Sequence, residues 1–241
     1  MKHVKTILKK LILIILVFVA TGTVAQSMSS DVIVGSKRLA QRTIAVEPFS
    51  IVQIDGYKVY LVQDTLYEVR ISGEDNIISE IAVISSDGVI NAVRTSSAKL
   101  KNKRPIEIFV HFIDIDILNA ENAEYETIGS ITTDSLQVTS STTEFNLEVH
   151  TNVLRADLRG ATFDRGTLEV TGTADTCDVF LDGKASFVAP KLTGDNFMIV
   201  FGPRTFYKIK RKNFKNSNVK SSTNSLQRMG NSLMNFFSFF W

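Results

Sequence analysis

The sequence predicts an all-β fold of many short strands, and three observations support this prediction. Apolar and polar residues alternate in segments of about three to seven residues, as in residues 106–112. Turn residues such as Asp87-Gly88 separate these segments. Between residues 27 and 203 no segment predicts a helix of ten residues, and residues 75–83 predict one or two helical turns. We therefore expect a chain that folds almost entirely as β-strands.

One strand is expected to break because the alternation changes phase. Residues 106–112 alternate regularly, but the clearest apolar set moves from even to odd positions in residues 113–117. Side chains of a regular strand alternate with a period of 2, which cannot change phase within one strand. The pattern predicts a bulge or a tight bend near Phe112 and Ile113.

A weak repeat favours a solenoid over a β-sandwich. An apolar residue, a polar residue and a small residue recur at residues 138–140, 158–160, 170–172 and 192–194. The small residues are 20, 12 and 22 positions apart, which suits stacked turns with unequal corners. A small residue there lets the chain turn with positive φ or pack closely on its neighbour. A β-sandwich with ordinary glycine turns remains the alternative.

The N-terminus has the layout of a secretory signal peptide. Four lysines precede an unbroken apolar run over residues 11–20, and Thr23-Val24-Ala25 offers small residues for cleavage before Gln26. The apolar run is about half of the roughly 20 residues that cross a bilayer. We expect export, with localisation in the periplasm or at the outer membrane and cell surface. The mature chain keeps one cysteine, Cys177, which predicts a small buried side chain and no internal disulfide.

Charge divides the mature chain into an acidic body and a basic end. The leader carries four of the positive charges, so the mature chain is near −2. No acidic residue follows Asp195, and eight lysines and arginines follow from Arg204 onward. The part from Gln26 to Pro203 is then near −10.

The C-terminal segment predicts a docking function. Residues 206–210 predict a last strand, and residues 213–225 predict a polar linker. The apolar residues after Leu226 are spaced to share one helix face, and aromatic side chains beside cations suit a membrane interface. The alternatives are a cap on the open end of the solenoid or a disordered terminus. The predicted docking residues are Leu233, Phe236, Phe237, Phe240 and Trp241, with the cations Lys208, Lys210, Arg211 and Lys212.

The histidine and carboxylate patterns indicate no catalytic, metal or cofactor site. His111 and His150 lie in predicted strands, where surface positions are expected, and no G-x-S-x-G motif accompanies them. Asp114 and Asp116 share one predicted strand face, but the run lacks the glycine and terminal glutamate of a calcium loop. No phosphate-binding loop or dinucleotide motif is present. We expect a solvated acidic surface, no enzyme activity and no cofactor.

Two groups of motifs stand out in the middle of the chain. The strand motifs are FSIVQI (residues 49–54), VYLVQ (59–63) and YEVRISGEDNI (67–77), and the later segments are LRGAT (158–162), VTGTA (170–174) and LTGD (192–195). Together they resemble the strand motifs and the turn motif of a known family, the putative auto-transporter adhesin, head GIN domain family of exported Bacteroidetes proteins. Ala120, Ser140 and Ser141 depart from it, since glycines are commoner there. The resemblance implies a right-handed β-helix-like solenoid, export and surface adhesion.

The predicted organisation has four parts. Residues 1–25 are the signal peptide, 26–42 a lead-in, 43–203 the β-solenoid and 204–241 the basic linker with its amphipathic tail. The leading functional hypothesis is a non-catalytic cell-envelope domain for binding or adhesion. A periplasmic scaffold or sensory-accessory domain is the first alternative, and a carbohydrate-active solenoid enzyme is the second. The expected partners are an envelope protein, a glycan or a membrane surface, without nucleic acid or a small-molecule substrate.

Overall fold

Alternating residues form β-strands over most of the chain in the computed structural model, which describes residues 31–161 and 164–222. The predicted signal peptide and the predicted docking residues Leu233, Phe236, Phe237, Phe240 and Trp241 lie outside these residues. The strands are β1 (Val32–Val34), β2 (Leu39–Ala45), β3 (Ile51–Val52), β4 (Lys58–Gln63), β5 (Glu68–Glu74), β6 (Ile81–Ser86), β7 (Val89–Arg94), β8 (Lys99–Lys101), β9 (Glu107–Phe112), β10 (Ile117–Glu121), β11 (Glu124–Thr127), β12 (Ile131–Ser141), β13 (Glu144–Gly160), β14 (Gly166–Gly183), β15 (Ala185–Phe201), β16 (Phe206–Ile209) and β17 (Phe214–Ser221). The other regular elements are a single helical turn, α1 (Asp75–Ile78), and a 3-10 turn (Arg211–Asn213).

Strands β10 to β17 coil into a β-solenoid, and the whole solenoid has about five turns. Each strand pairs in parallel with the strand one turn later. Ile131 pairs with Val149, an offset of 18 residues, and Glu144 pairs with Thr167, an offset of 23. The turns are therefore unequal in length, as the irregular repeat predicted. The solenoid is confirmed, and the β-sandwich is wrong.

The strands are longer than the sequence suggested. β13, β14 and β15 each run for 17 or 18 residues, because parallel pairing continues around the corners of the solenoid. Sequence alternation falters at each corner and predicts separate short strands, whereas the backbone hydrogen bonds between turns do not stop there.

The core is a stack of inward-facing side chains in register. One column joins a buried residue from each of six successive paired strands: Val52, Leu118, Val138, Ala156, Val179 and Ile199. A second column brings the ring of Tyr125 to 5.0 Å from that of Phe145. The hydroxyl of Tyr125 donates to the carbonyl of Ile54 at 2.8 Å and accepts from its N–H at 2.9 Å. Burial of apolar area from turn to turn is the main stabilising term in this architecture.

Antiparallel strands cover the first end of the solenoid. β6 and β7 form a hairpin, and β5 pairs in antiparallel fashion with both β2 and β9. β9 ends at Phe112, which confirms the break that the phase change predicted. Asp114 and Asp116 consequently lie in the connection to β10, so their predicted strand position is wrong. The helical turn predicted within residues 75–83 is present as α1.

The last turn consists of β16 and β17, which both pair with β15. Residues 214–221 were expected to form a linker because of their polar composition, and the structure places them in β17 instead. Phe214 is buried, Val219 is half-buried, and the strand is hydrogen-bonded in register from Gly194↔Phe214 to Phe201↔Ser221. Hydrogen bonds to the edge of β15 stabilise β17 as a strand, although its polar composition alone does not predict one.

The small residues of the repeat lie where neighbouring turns approach closely. A Cβ atom on Gly172 would stand 2.0 Å from the carbonyl oxygen of Val149, and one on Gly194 would stand 1.8 Å from that of Ala174. Gly172 also has φ of +107°. These findings confirm the expected close packing. Cys177 is buried, and burial raises the pKa of its thiol.

Candidate binding surfaces

Exposed cations gather at one corner of the last turn. Lys208 lies in β16, Lys210 follows it, and Arg211 and Lys212 begin the 3-10 turn. All four are exposed, and none forms an ion pair with another described residue. Lys215, by contrast, contacts Asp195 at 2.7 Å, and this contact raises the pKa of its ammonium group. These four cations, which we call the basic corner, are the predicted docking residues that the structure brings together.

A polar groove runs across the turns formed by β12, β13 and β14, with a volume of about 510 Å³. One wall is a ladder of Thr132, His150 and Thr173, which pair directly between neighbouring strands. The facing wall lies two residues further along each strand and consists of Asp134, Asn152 and Asp175. We call this feature the axial groove, since both ladders follow the axis of the solenoid and not the strand direction.

Hydrogen bonds hold several side chains of the axial groove. His150 Nδ1 lies 3.0 Å from the hydroxyl of Thr173, and Asn152 Nδ2 donates to Asp134 Oδ1 at 3.3 Å. Between the walls, Thr151 is buried, and its hydroxyl oxygen lies 3.1 Å from the carbonyl oxygens of both Asp134 and Val153. Thr133 and Asp114 also line the groove, and its described lining residues include no lysine, arginine, phenylalanine, tyrosine or tryptophan.

A second groove of about 390 Å³ crosses another face of the solenoid. Three charged side chains of its lining, those of Asp55, Asp157 and Arg159, already engage one another or the backbone. Arg159 donates to both carboxylate oxygens of Asp157 at 3.1 Å, and Asp55 accepts from the N–H of Glu121 at 2.7 Å. The Asp157 carboxylate also raises the pKa of Arg159. Ser140 also lines this groove.

Aromatic side chains on the outer surface cover one another. The rings of Tyr60 and Phe109 stack with centroids 4.8 Å apart and an angle of 18°. The guanidinium of Arg70 lies 4.4 Å from the centroid of Phe109, and the ammonium of Lys58 lies 5.1 Å from that of Tyr60. Cation–π and stacking contacts stabilise such a row. The inner ring faces are therefore occupied and do not offer an open platform for a ligand.

The two histidines differ in environment. His111 was expected at the sheet surface, but it is 9% exposed, and its Nδ1 lies 3.1 Å from Asp64 Oδ2. The backbone N–H of Thr65 and then His111 lower the pKa of Asp64. His150 is half-buried and lines the axial groove. Val62 of β4 and Glu68 of β5 flank His111 in register, and Asp64 contacts its ring, so neighbouring side chains cover it.

A raised carboxyl pKa occurs outside both grooves. Burial raises the pKa of Asp178, and Arg155 acts in the opposite direction. Arg155 and Met198 are the neighbours of Asp178 in register, so no second carboxyl faces it across the ladder. A glycoside-cleaving pair requires two cooperating carboxyls. Within residues 31–161 and 164–222, no group of three or more histidines, cysteines and acids is arranged to hold a metal ion.

Sequence reasoning missed the axial groove. Successive residues of each wall are 18 and 23 positions apart along the chain, so no short motif marks them. Threonine, aspartate and asparagine also occur throughout the chain. The one available signal was the presence of turn-forming polar residues at the ends of successive predicted strands.

Several solved structures of low sequence identity match this chain. In the described part of the chain, no helix is sufficiently long and apolar to span a membrane. A putative adhesin from Parabacteroides merdae has 13% identity over 80% of this chain and 100% of its own, with a TM-score of 0.49. One from Bacteroides fragilis has 18% identity over 79% and 100%, with a TM-score of 0.47. No curated protein matches the sequence significantly.

A third solved structure reaches a somewhat higher fold similarity. It is named a putative lipid binding protein, comes from Parabacteroides distasonis, and has 11% identity over 80% of this chain and 97% of its own. Its TM-score of 0.51 indicates a shared fold and nothing about its ligand. The model of the family described as "putative auto-transporter adhesin, head GIN domain" matches residues 48–202. Because this match covers more than half of the chain, the protein belongs to that family.

Proposed function

We propose that this protein is an exported, non-catalytic domain of the cell envelope that binds another macromolecule and is held at an anionic membrane surface by its C-terminal end. The family description supports an adhesion-like role without catalysis. The N-terminal layout supports export, because a basic leader, an apolar run and small residues precede Gln26.

The basic corner is the observation that carries the membrane proposal. Lys208, Lys210, Arg211 and Lys212 are exposed together on the last turn of a body that is otherwise acidic. Each cation contributes about 1 kcal/mol near an anionic lipid surface. Residues 223–241 follow this turn and include Phe236, Phe237, Phe240 and Trp241. Insertion of each phenylalanine adds about 1.5–3 kcal/mol, so cations and aromatic residues act in the same direction.

Replacement of the basic corner tests this proposal. We expect the quadruple variant Lys208→Gln, Lys210→Gln, Arg211→Gln and Lys212→Gln to bind phosphatidylethanolamine–phosphatidylglycerol vesicles at least about a hundredfold more weakly. The matched control replaces Lys99, Lys101, Lys103 and Arg104 by glutamine, which removes the same charge from another exposed basic group. Vesicle sedimentation of the mature chain from Gln26 measures both.

Two results would contradict the proposal. Equal binding by the two quadruple variants would show that the position of the basic corner is irrelevant. Equal binding of the unaltered chain to vesicles with and without phosphatidylglycerol would show that anionic lipid is not recognised. In cells, a product that retains Met1 to Ala25 would contradict export, which mass spectrometry of the mature N-terminus measures.

The partial exposure of the last turn favours a second role for the tail, which is to cap this end of the solenoid. Three of its side chains are half-buried at positions where the preceding turn has fully buried residues. The pairs in register are Phe187 and Tyr207, Ala189 and Ile209, and Ile199 and Val219. A segment that covered this end would bury them further, as solenoid caps do. Ser217, however, replaces the inward Phe197 at the last turn, so this turn already presents a polar side chain to solvent.

A further inference from the structure

We propose that the axial groove, between the ladder of Thr132, His150 and Thr173 and the ladder of Asp134, Asn152 and Asp175, binds a neutral linear glycan along the solenoid axis. This inference rests on the proposed adhesion-like function and names the class of ligand. The period of the groove, its hydrogen-bonding groups and its charge support this ligand.

The period of the groove suits a polymer. Successive strands of a sheet are about 4.8 Å apart, so each wall offers one polar side chain at that interval. His150 and Asn152 occupy the middle turn, with equivalent positions on the turns before and after. A compact ligand needs groups that converge on one point. Parallel ladders instead present the same kind of contact repeatedly, which matches a chain of similar units.

The walls combine donors and acceptors. Threonine hydroxyls, the amide of Asn152 and the imidazole of His150 both donate and accept hydrogen bonds, and the aspartates accept. The hydroxyls of a sugar also do both. Thr132, Thr173, Asp134 and Asn152 have their side chains exposed or at the groove surface, and so are available to a ligand. A hydroxyl-rich polymer is the ligand whose groups match this mixture on both walls.

The charge of the groove selects among glycans. Asp114, Asp134 and Asp175 line it, and no lysine or arginine does. An acidic polysaccharide would bring its own negative charges close to these carboxylates, which is unfavourable. A neutral glycan avoids this repulsion and uses the carboxylates as hydrogen-bond acceptors, which are stronger when ionised.

The groove also lacks an aromatic lining, so recognition uses the polar edges of the sugar rings. The stacked pair of Tyr60 and Phe109 belongs to a different surface and is covered by Arg70. Hydrogen bonds at a shallow, water-exposed surface each contribute modestly. We therefore expect weak binding per site, which an adhesin strengthens through many copies on one surface.

Affinity electrophoresis of the mature chain, from Gln26 to Trp241, tests this inference. The gels contain dextran, mannan or xylan as neutral probes, and polygalacturonate or heparin as anionic probes. We expect at least one neutral polysaccharide to retard the protein. The anionic probes are applied to the quadruple glutamine variant of the basic corner, so that those four cations cannot bind them, and we expect no retardation of this variant. Retardation should persist in a chelator, because the contacts are direct.

Two asparagines of strand β13 provide matched variants. Asn152→Ala removes the central amide of the groove and should weaken binding about three- to tenfold. Asn146→Ala removes the same group from an exposed position on another face of the same strand and should leave binding unchanged. Both side chains are exposed, so both variants should keep the melting temperature of the unaltered chain.

Four results would overturn the inference. They are the absence of retardation by every neutral probe, retardation by anionic probes alone, loss of binding in the chelator, and equal effects of the two alanine variants. Vesicle binding is measured separately in each case. A protein that binds anionic vesicles but no neutral glycan would retain the proposed membrane attachment and lose only this inference, whereas the reverse result would remove the membrane attachment alone.

Discussion

Gly56 and Gly172 differ in what a side chain at each position would cost. At Gly56 the cost would come from backbone conformation alone, and at Gly172 it would come from conformation and from crowding by the neighbouring turn. Gly56 has φ of +74°, and a Cβ atom there would meet nothing within 4 Å. Gly172 has φ of +107°, and its Cβ would stand 2.0 Å from the carbonyl oxygen of Val149. Both positions carry the conformational cost of a left-handed residue, but only Gly172 also carries the cost of displacing a neighbouring turn.

Alanine substitutions measure this difference. We expect Gly56→Ala to lower the free energy of unfolding by about 1–2 kcal/mol, the cost of the left-handed conformation. Gly172→Ala should lower it by about 3 kcal/mol or more, because overpacking adds to that cost. Urea denaturation of both variants gives the comparison. Equal losses would show that the turns separate easily and that crowding is not what selects glycine in the repeat.

Glu74 is a buried carboxylate that joins two connections near the first end of the solenoid. Its Oε1 accepts from the N–H of Lys37 at 2.8 Å, and its Oε2 accepts from the N–H of Lys103 at 2.7 Å. The side chain is fully buried against Gly35, where a Cβ would overlap it. The hydrogen bond from Lys103 is the largest cause that lowers the pKa of Glu74.

This lowered pKa predicts a pH dependence of stability. The folded pKa lies below the ordinary value of 4.5, so the stabilisation is complete above about pH 4.5 and is lost as pH falls through the folded value. Glu74→Gln should be less stable than the unaltered protein at pH 7, and the difference should shrink in acid. Urea denaturation of both proteins at pH 7 and in acid measures this difference in the free energy of unfolding. A difference that is constant with pH would show that Glu74 acts by shape and not by charge.

At the scale of elements, β17 shows how pairing overrides composition. Seven of its eight residues are exposed or half-buried, and only Phe214 is buried. Its backbone nevertheless completes the ladder of β15 over Phe197 and Ile199. The strand exists because an unpaired edge with correct register was already present.

Two truncations test what covers the end of the solenoid. A chain that ends at Lys212 loses β17 and exposes Phe197 and Ile199, so we expect a loss of about 3–6 kcal/mol in stability. A chain that ends at Ser222 keeps β17 and should retain the melting temperature of the full mature chain. Thermal unfolding followed by circular dichroism measures both. A large fall for the second chain would instead support the tail as a cap.

Other elements were predictable to different degrees. The end of β9 at Phe112 followed from the sequence, because a strand cannot change the face of its side chains. The burial of His111 did not, because nothing local indicates that β9 lies between two other strands. The breaks expected within β13 to β15 were also wrong, since corner residues keep their hydrogen bonds to the next turn.

For the whole molecule, the two surfaces lie on different turns. The axial groove belongs to β12, β13 and β14, whereas the basic corner belongs to the last turn. A protein attached to a membrane through the basic corner would therefore keep the groove accessible. The acidic body would favour this separation, because an anionic surface that attracted the basic end would repel the body.

The sequence by itself determined the all-β class, the charge division and the family, because each depends on composition, on neighbouring residues or on a short motif. The tertiary structure alone decided the register of the turns, and with it the axial groove, the buried position of His111 and the pairing of β17. Register depends on the lengths of corners and on packing between residues 18 to 23 positions apart. Side-chain alternation repeats every two residues and contains no information about that distance.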